Sequence, residues 1–176
     1  RVLKDIKKTV NLETMRKSII CARKHGLTVK LNMVIGFPSE RRVDIYQSLF
    51  FIWKLAMKGI HDVDLATFSP YPGSEIFENF VVEGRLPEIS DQYFYDLLVI
   101  TDLTSSKNFC PQVYPLELAF YRILGMALFY TLSYLMYPKK ILRVLGLIFY
   151  RREFLPNSLF EQRVYDFLSR MNMLKN

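Results

Sequence analysis

The sequence predicts an α/β fold in which parallel βα units are followed by a mostly helical region. Three observations carry that reading. Helix and strand periodicities alternate over residues 11–69 with short loops between them, the pattern of βα units on a parallel sheet. Both strand-like runs end in turns that combine Gly and Pro with an acidic residue, at 36–40 and 70–75. From residue 91 onward the apolar residues fall in helical runs without strand alternation. The composition agrees: 176 residues, 51% hydrophobic and 15% aromatic with seven glycines, exclude a disordered or collagen-like chain and suffice for a core. Two cysteines, Cys21 and Cys110, cannot form a disulfide framework or a closely spaced metal motif, which points to a reducing compartment and a cytoplasmic location. The chain starts Arg1-Val2-Leu3 rather than with Met, and the expectation is a portion of a longer polypeptide.

Asn11 is a good N-cap, and Glu13 places a negative charge in the first helical turn, where the helix dipole favours it. Leu12, Met15, Ile19 and Ile20 follow the 3.6-residue period until His25-Gly26 ends it as a basic last turn and terminal glycine should. Cys21 lies within this helix and reads as a buried or half-buried small hydrophobe. Residues 27–36 alternate: Leu27, Val29, Leu31, Met33 and Ile35 share one face, while Thr28, Lys30, Asn32, Val34 and Gly36 share the other. A strand sandwiched between two helical layers is apolar on both faces. The Lys and Asn on the even face therefore suit an open or barrel interior that holds a ligand. A second helix runs through Asp44, Ile45, Leu49, Phe50, Ile52, Trp53 and Met57 to Lys58-Gly59. Residues 62–69 form the second strand, with Val63/Leu65 and Ala66/Phe68 competing for its buried side. Ligands of parallel sheets lie outside the carboxyl ends of the strands. The two Gly/Pro turns stand at those ends, beside the inward-facing Asn32.

Charge is segregated. Residues 1–60 hold 13 Lys+Arg against 4 Asp+Glu, residues 61–117 hold 2 against 10, and residues 118–176 hold 9 against 3. The first basic block is mostly helix surface (Arg16, Lys17, Arg23, Lys24) and reads as a solvated face. The acidic middle block argues against a polyanion groove, so no nucleic-acid partner is expected.

The runs Asn32-Met33-Val34-Ile35-Gly36-Phe37-Pro38-Ser39-Glu40 and Phe68-Ser69-Pro70-Tyr71-Pro72-Gly73-Ser74-Glu75-Ile76-Phe77, with Leu3-Lys4, Lys8 and the helix ending His25-Gly26-Leu27, resemble the C-terminal half of a radical S-adenosylmethionine (SAM) enzyme. More narrowly they resemble the cobalamin-binding subfamily that includes anaerobic magnesium-protoporphyrin monomethyl ester cyclase. The resemblance covers residues 1–90. It implies the C-terminal part of a partial (βα)₆ barrel, with residues 91–176 as a helical extension. SAM would lie across the strand ends, and a four-iron four-sulfur cluster held by three cysteines would reduce it. By motif position, Asn32, Val34, Ile35 and Gly36 would lie near the adenine, and Glu40 would brace the following loop. Pro70, Tyr71, Pro72 and Gly73 would form the second rim, and Lys8 would reach the SAM carboxylate. The three-cysteine motif is absent, so the cluster ligands, the first four strands and any cobalamin domain are expected in the remainder of the same polypeptide. This portion alone is expected to be inactive, and no catalytic or metal-ligating residue is assigned to it. The resemblance implies radical methyl transfer, cyclisation or rearrangement on a small hydrophobic substrate. Two alternatives are a non-enzymatic membrane-peripheral or partner-binding module, and an RNA-modifying relative.

In the tail, residues 91–110 read as an acidic amphipathic helix around Tyr93, Phe94, Leu97 and Leu98 that runs into a loop over 104–115. Residues 116–137 form one long apolar run interrupted by Glu117 and Arg122. Pro138 breaks it, a second hydrophobic helix spans 141–150 flanked by Arg151-Arg152, and a last helix spans 159–171. The uninterrupted apolar stretch, 123–137, is shorter than the ~20 residues a bilayer span needs. Two readings stay open: a helical cap packed on the open side of the barrel, and a hairpin lying in a membrane interface with its basic clusters on anionic lipid.

Overall fold

The computed structural model describes residues 1–86, 89–98, 108–150 and 158–170. A short helix α1 (Val2–Asp5) leads to α2 (Leu12–Lys24), β1 (Lys30–Ile35), α3 (Arg42–Ala56), β2 (Asp62–Thr67), α4 (Glu75–Val82), α5 (Asp91–Leu98), α6 (Pro115–Met136), α7 (Lys139–Tyr150) and α8 (Leu159–Arg170). The Asn11 side chain accepts from the N–H groups of Glu13 and Thr14, both at 3.0 Å, and so starts α2 as its sequence requires. β1 and β2 pair in parallel, Lys30 opposite Asp62 through Ile35 opposite Thr67.

The odd residues of both strands face the core. Leu31, Ile35, Val63 and Leu65 pack under Ile45, Leu49, Ile52 and Leu55 of α3 and Leu118, Tyr121 and Phe129 of α6. Val63 and Leu65 thus take the buried side of β2, and Ala66 lies half-buried on the opposite face. The first strand is shorter than its alternation suggests. Pairing begins at Lys30 because β2 begins at Asp62, and Leu27 is left 59% exposed. Cys21 is exposed on the outer side of α2 rather than buried, since among the described residues nothing packs over that face and α2 buries no side chain completely.

Helix α6 is long and apolar enough to cross a bilayer by length and composition. In this fold it packs along α3 and β2, burying Leu118, Tyr121, Arg122, Gly125, Phe129 and Ser133 on one stripe. Gly125 permits the approach: a Cβ there would lie 2.6 Å from Leu49 Cδ2 and 2.9 Å from Leu65 Cδ2. Trp53 Nε1 closes the crossing by donating to the Gly125 carbonyl at 3.3 Å. Cys110, Val113 and α6 therefore share one core with β1, β2 and α3. Arg151, Arg152, the start of the loop expected over 104–115, and position 171 lie outside the described residues.

At the corner between α6 and α7, Lys140 Nζ donates to the Ile60 carbonyl at 2.9 Å and to Ser133 Oγ at 2.6 Å. Burial pushes its ammonium down to about 8; nearby Arg23 and Arg143 add to the depression, and Glu161 and Asp62 oppose it. The ordinary value is 10.5, so between these limits the unfolded chain binds the extra proton. Stability therefore rises as pH increases from about 8 toward 10, by about 1 kcal/mol for a side chain that keeps some solvent contact. Urea denaturation across that window checks it, and Lys140→Met should flatten the rise.

Candidate functional site

The even face of the sheet is the open one. Lys30, Asn32 and Val34 are exposed along β1, opposite Asp62, Asp64 and Ala66 of β2. Lys30 Nζ stands 3.5 Å from Asp64 Oδ2, an exchange of charge between the strands that leaves the Asn32 amide unengaged by it. The open face is polar at Lys30, Asn32 and Asp64 and apolar (Val34, Ala66) near the carboxyl ends of the strands; Asp62 is buried, accepting from Tyr130 Oη and the Leu159 N–H. Among the described residues no strand pairs with the other edge of β1.

The first rim is built around a buried carboxylate. Gly36 takes φ +85°, a conformation that L side chains rarely adopt, and a Cβ there would also meet Leu118 Cδ2 at 2.8 Å. The turn aims the Gly36 and Phe37 N–H groups at Glu40 Oε2, at 2.5 and 3.1 Å. Glu40 is 2% exposed, and burial pushes its carboxyl up while the two amides pull it down. Cys110 is buried and donates its thiol to the Glu40 carbonyl at 3.1 Å. Burial pushes that thiol up as well.

The second rim is held from below. Pro70 is buried, and its carbonyl accepts from Tyr93 Oη of α5 at 2.5 Å. Tyr71, Pro72 and Gly73 are exposed, and Gly73 turns with φ +83° before Ser74 caps α4 at the Phe77 N–H. The two rims meet: Phe68 N–H donates to the Ile35 carbonyl at 2.7 Å, and the Phe37 and Phe68 rings lie 4.8 Å apart. Phe109 continues the cluster, edge-on to Phe68 at 6.3 Å and stacked on Phe80 at 5.8 Å.

Of the residues singled out from the sequence, Asn32 and Val34 stand on the open face, and Gly36, Glu40 and Pro70 to Gly73 form the rims above it. Ile35 is fully buried on the opposite face, so only its backbone can line the site. Lys8 is exposed in the turn between α1 and α2, where its N–H donates to the Leu3 carbonyl. The sequence reading missed the aromatic joint. Phe37 and Phe68 lie inside the quoted runs, but their meeting is a consequence of register, and Phe109 belongs to no periodic pattern. Lys30 with Asp64 was legible only once the pairing of the strands was known.

Neither a known protein-family profile nor a solved structure matches the chain. Over 89 residues it is 30% identical to a protein of Pyrococcus horikoshii named an uncharacterized methyltransferase. The matched stretch is 49% of this chain and 18% of that protein, so the chain spans less than a fifth of its relative.

Proposed function

We propose that the chain supplies the SAM-facing side of a partial (βα)₆ barrel in a radical SAM enzyme of the cobalamin-binding type, acting by methyl transfer on a hydrophobic substrate. One observation carries the reading: an exposed amide and an exposed apolar patch on β1 lie beneath two linked rims at the carboxyl ends of parallel strands. A flat heterocycle such as adenine needs an apolar surface for its ring and hydrogen-bonding groups at its edge. Val34 and Ala66 offer the first; the Asn32 side chain offers the second. The similarity to a protein named a methyltransferase favours methyl transfer over cyclisation or rearrangement.

SAM fits the residues present. Asn32, Val34, Gly36 and the 70–73 rim would hold it, and when bound it supplies a methyl or 5′-deoxyadenosyl group. The chain's own part is positional. Glu40 fixes the first rim by accepting two backbone N–H bonds, Tyr93 fixes the second through the Pro70 carbonyl, and the Phe37–Phe68–Phe109 cluster keeps water from the joint. An iron–sulfur cluster does not fit these residues. Cys21 is exposed on α2 and Cys110 is buried beneath the first rim. Among the described residues no three metal-ligating side chains converge. On this proposal the ligands of that cluster and of cobalamin belong to other parts of the polypeptide.

Equilibrium dialysis with S-adenosylhomocysteine tests the site without requiring turnover. The wild-type chain should bind, and Val34→Glu, at a position that is 42% exposed, should weaken binding by about tenfold or more with an unchanged circular dichroism spectrum. Equal binding by the variant, or none by the wild type at millimolar ligand, would sink the assignment.

A further inference from the structure

The described side chains of α7 divide between two sides. Its basic residues Lys140 and Arg143 face inward with the buried Val144, while Ile141, Leu142, Leu145 and Ile148 are 40–66% exposed along the outer face. The end of α6 extends the apolar surface with Leu135 at 71% and Met136 at 55% exposure. Beneath the N-terminus of α7 lies a cavity of about 180 Å³ lined by Arg23, His61, Lys139, Lys140, Arg143 and Glu161, among others. Among the described residues that line it, Arg23, Lys139, Lys140 and Arg143 outnumber the acidic Glu161, which pairs with Arg143 at 3.3 Å. Arg23 also lies over the Tyr137 ring, 5.1 Å from its centre. His61 directly precedes β2, so the cavity is at the opposite end of the strands from the two rims.

We infer that the α6–α7 corner docks on a membrane surface of anionic phospholipid, with the Ile141/Leu142/Leu145/Ile148 stripe at the acyl boundary and the basic cavity beside it drawing in lipid phosphate. The inference is independent of the function proposed for the open sheet face. Charge complementarity selects this occupant. A purely apolar partner would gain nothing from four cations beside the stripe, and a soluble anion would gain nothing from six exposed Leu, Ile and Met side chains. An amphipathic helix with a basic polar side and aliphatic residues on the other is the form that lies in the interfacial plane. Anionic headgroups supply the countercharge. Burial lowers His61, the charges of Lys140, Arg23 and Arg143 lower it further, and Glu161 opposes them only in part, so an anion brought there meets a net positive field.

Vesicle flotation of the full chain tests this with phosphatidylglycerol/phosphatidylcholine vesicles and with phosphatidylcholine vesicles alone. The protein should float with the anionic vesicles at low salt and remain behind with the neutral ones. Leu142→Asp/Leu145→Asp should reduce binding by about tenfold or more. Lys139→Glu, or about 0.5 M salt, should reduce it by about fivefold. All three positions are exposed, and circular dichroism checks that each variant is folded. Absence of wild-type flotation, or flotation indifferent to the aspartates, would overturn the inference. So would a concentration-dependent dimer that the aspartates dissolve while vesicles are ignored, because the stripe would then belong to a second copy. Binding of inorganic phosphate without binding of vesicles would likewise make the cavity a soluble-anion site and overturn it.

Discussion

Glu40→Ala is expected to lower the unfolding free energy by about 3 kcal/mol and to abolish ligand binding at the open face. The side chain is 2% exposed and accepts from the Gly36 and Phe37 N–H groups. Removing it strands both donors; Gly36 is itself buried, so water cannot simply replace the carboxylate. Each unsatisfied buried donor costs about 1–3 kcal/mol. Glu40→Gln keeps an acceptor oxygen of the same reach and should lose only about 1 kcal/mol. The ratio matters more than either value, because a packing role alone would spare the isostere and a charge role alone would not. Urea denaturation of the two variants measures it. An alanine variant within ~0.5 kcal/mol of wild type would mean that the rim does not depend on this carboxylate.

The rim also explains why Gly36 and Leu118 are coupled across 82 positions of sequence. A side chain at residue 36 would need a strained φ and would strike Leu118, which belongs to α6. The tail helix is thus part of what shapes the loop above β1. The long apolar helix packs along α3 on the odd, core face of the sheet rather than on its open side, and its polar stripe members Arg122 and Ser133 are buried within that packing.

Local signals were readable wherever one element determines its own geometry. Asn11 and His25-Gly26 delimit α2, the odd/even alternation of 27–36 separates core from open face, and Gly36 and Gly73 mark the two turns. What escaped the sequence depends on partners remote in the chain. Residues 27–29 alternate as well as 31–35 do, yet the parallel ladder begins only at Lys30, with the Val29 carbonyl at its edge accepting from the His61 and Asp62 N–H groups. Ile35, set near the adenine by motif position, is the exception, because the odd/even alternation already places its side chain on the core face. The apolar content of 116–137 says that the helix is covered on one side and is silent on what covers it. Cys21 carries no signal of its exposure, because a helix with no completely buried residue can still have a regular apolar period.

Arg122→Ala should be the most damaging single substitution in the α6 seam, at about 4 kcal/mol and a fall in Tm of roughly 12 °C for a domain of this size. Arg122 is 1% exposed, and its Nε donates to the Leu65 carbonyl at 3.0 Å. β2 pairs with β1 on one side, and α6 runs against it on the other; the guanidinium thus supplies a donor where a further strand would have supplied one. Truncation to alanine loses that bond, strands a buried carbonyl, and empties the volume of the side chain between α6 and the sheet. Arg122→Met separates these effects. It refills most of the aliphatic volume but restores no donor, so it should recover about half of the loss. Burying a guanidinium has its own desolvation cost, and well-packed apolar replacements of buried charges are sometimes neutral. If the methionine variant equals or exceeds wild type in urea denaturation, the Leu65 bond contributes no net stability and α6 is held by packing alone. If both variants fall as expected, the same bond fixes the height of α6 along β2, and with it the position of Leu118 against Gly36.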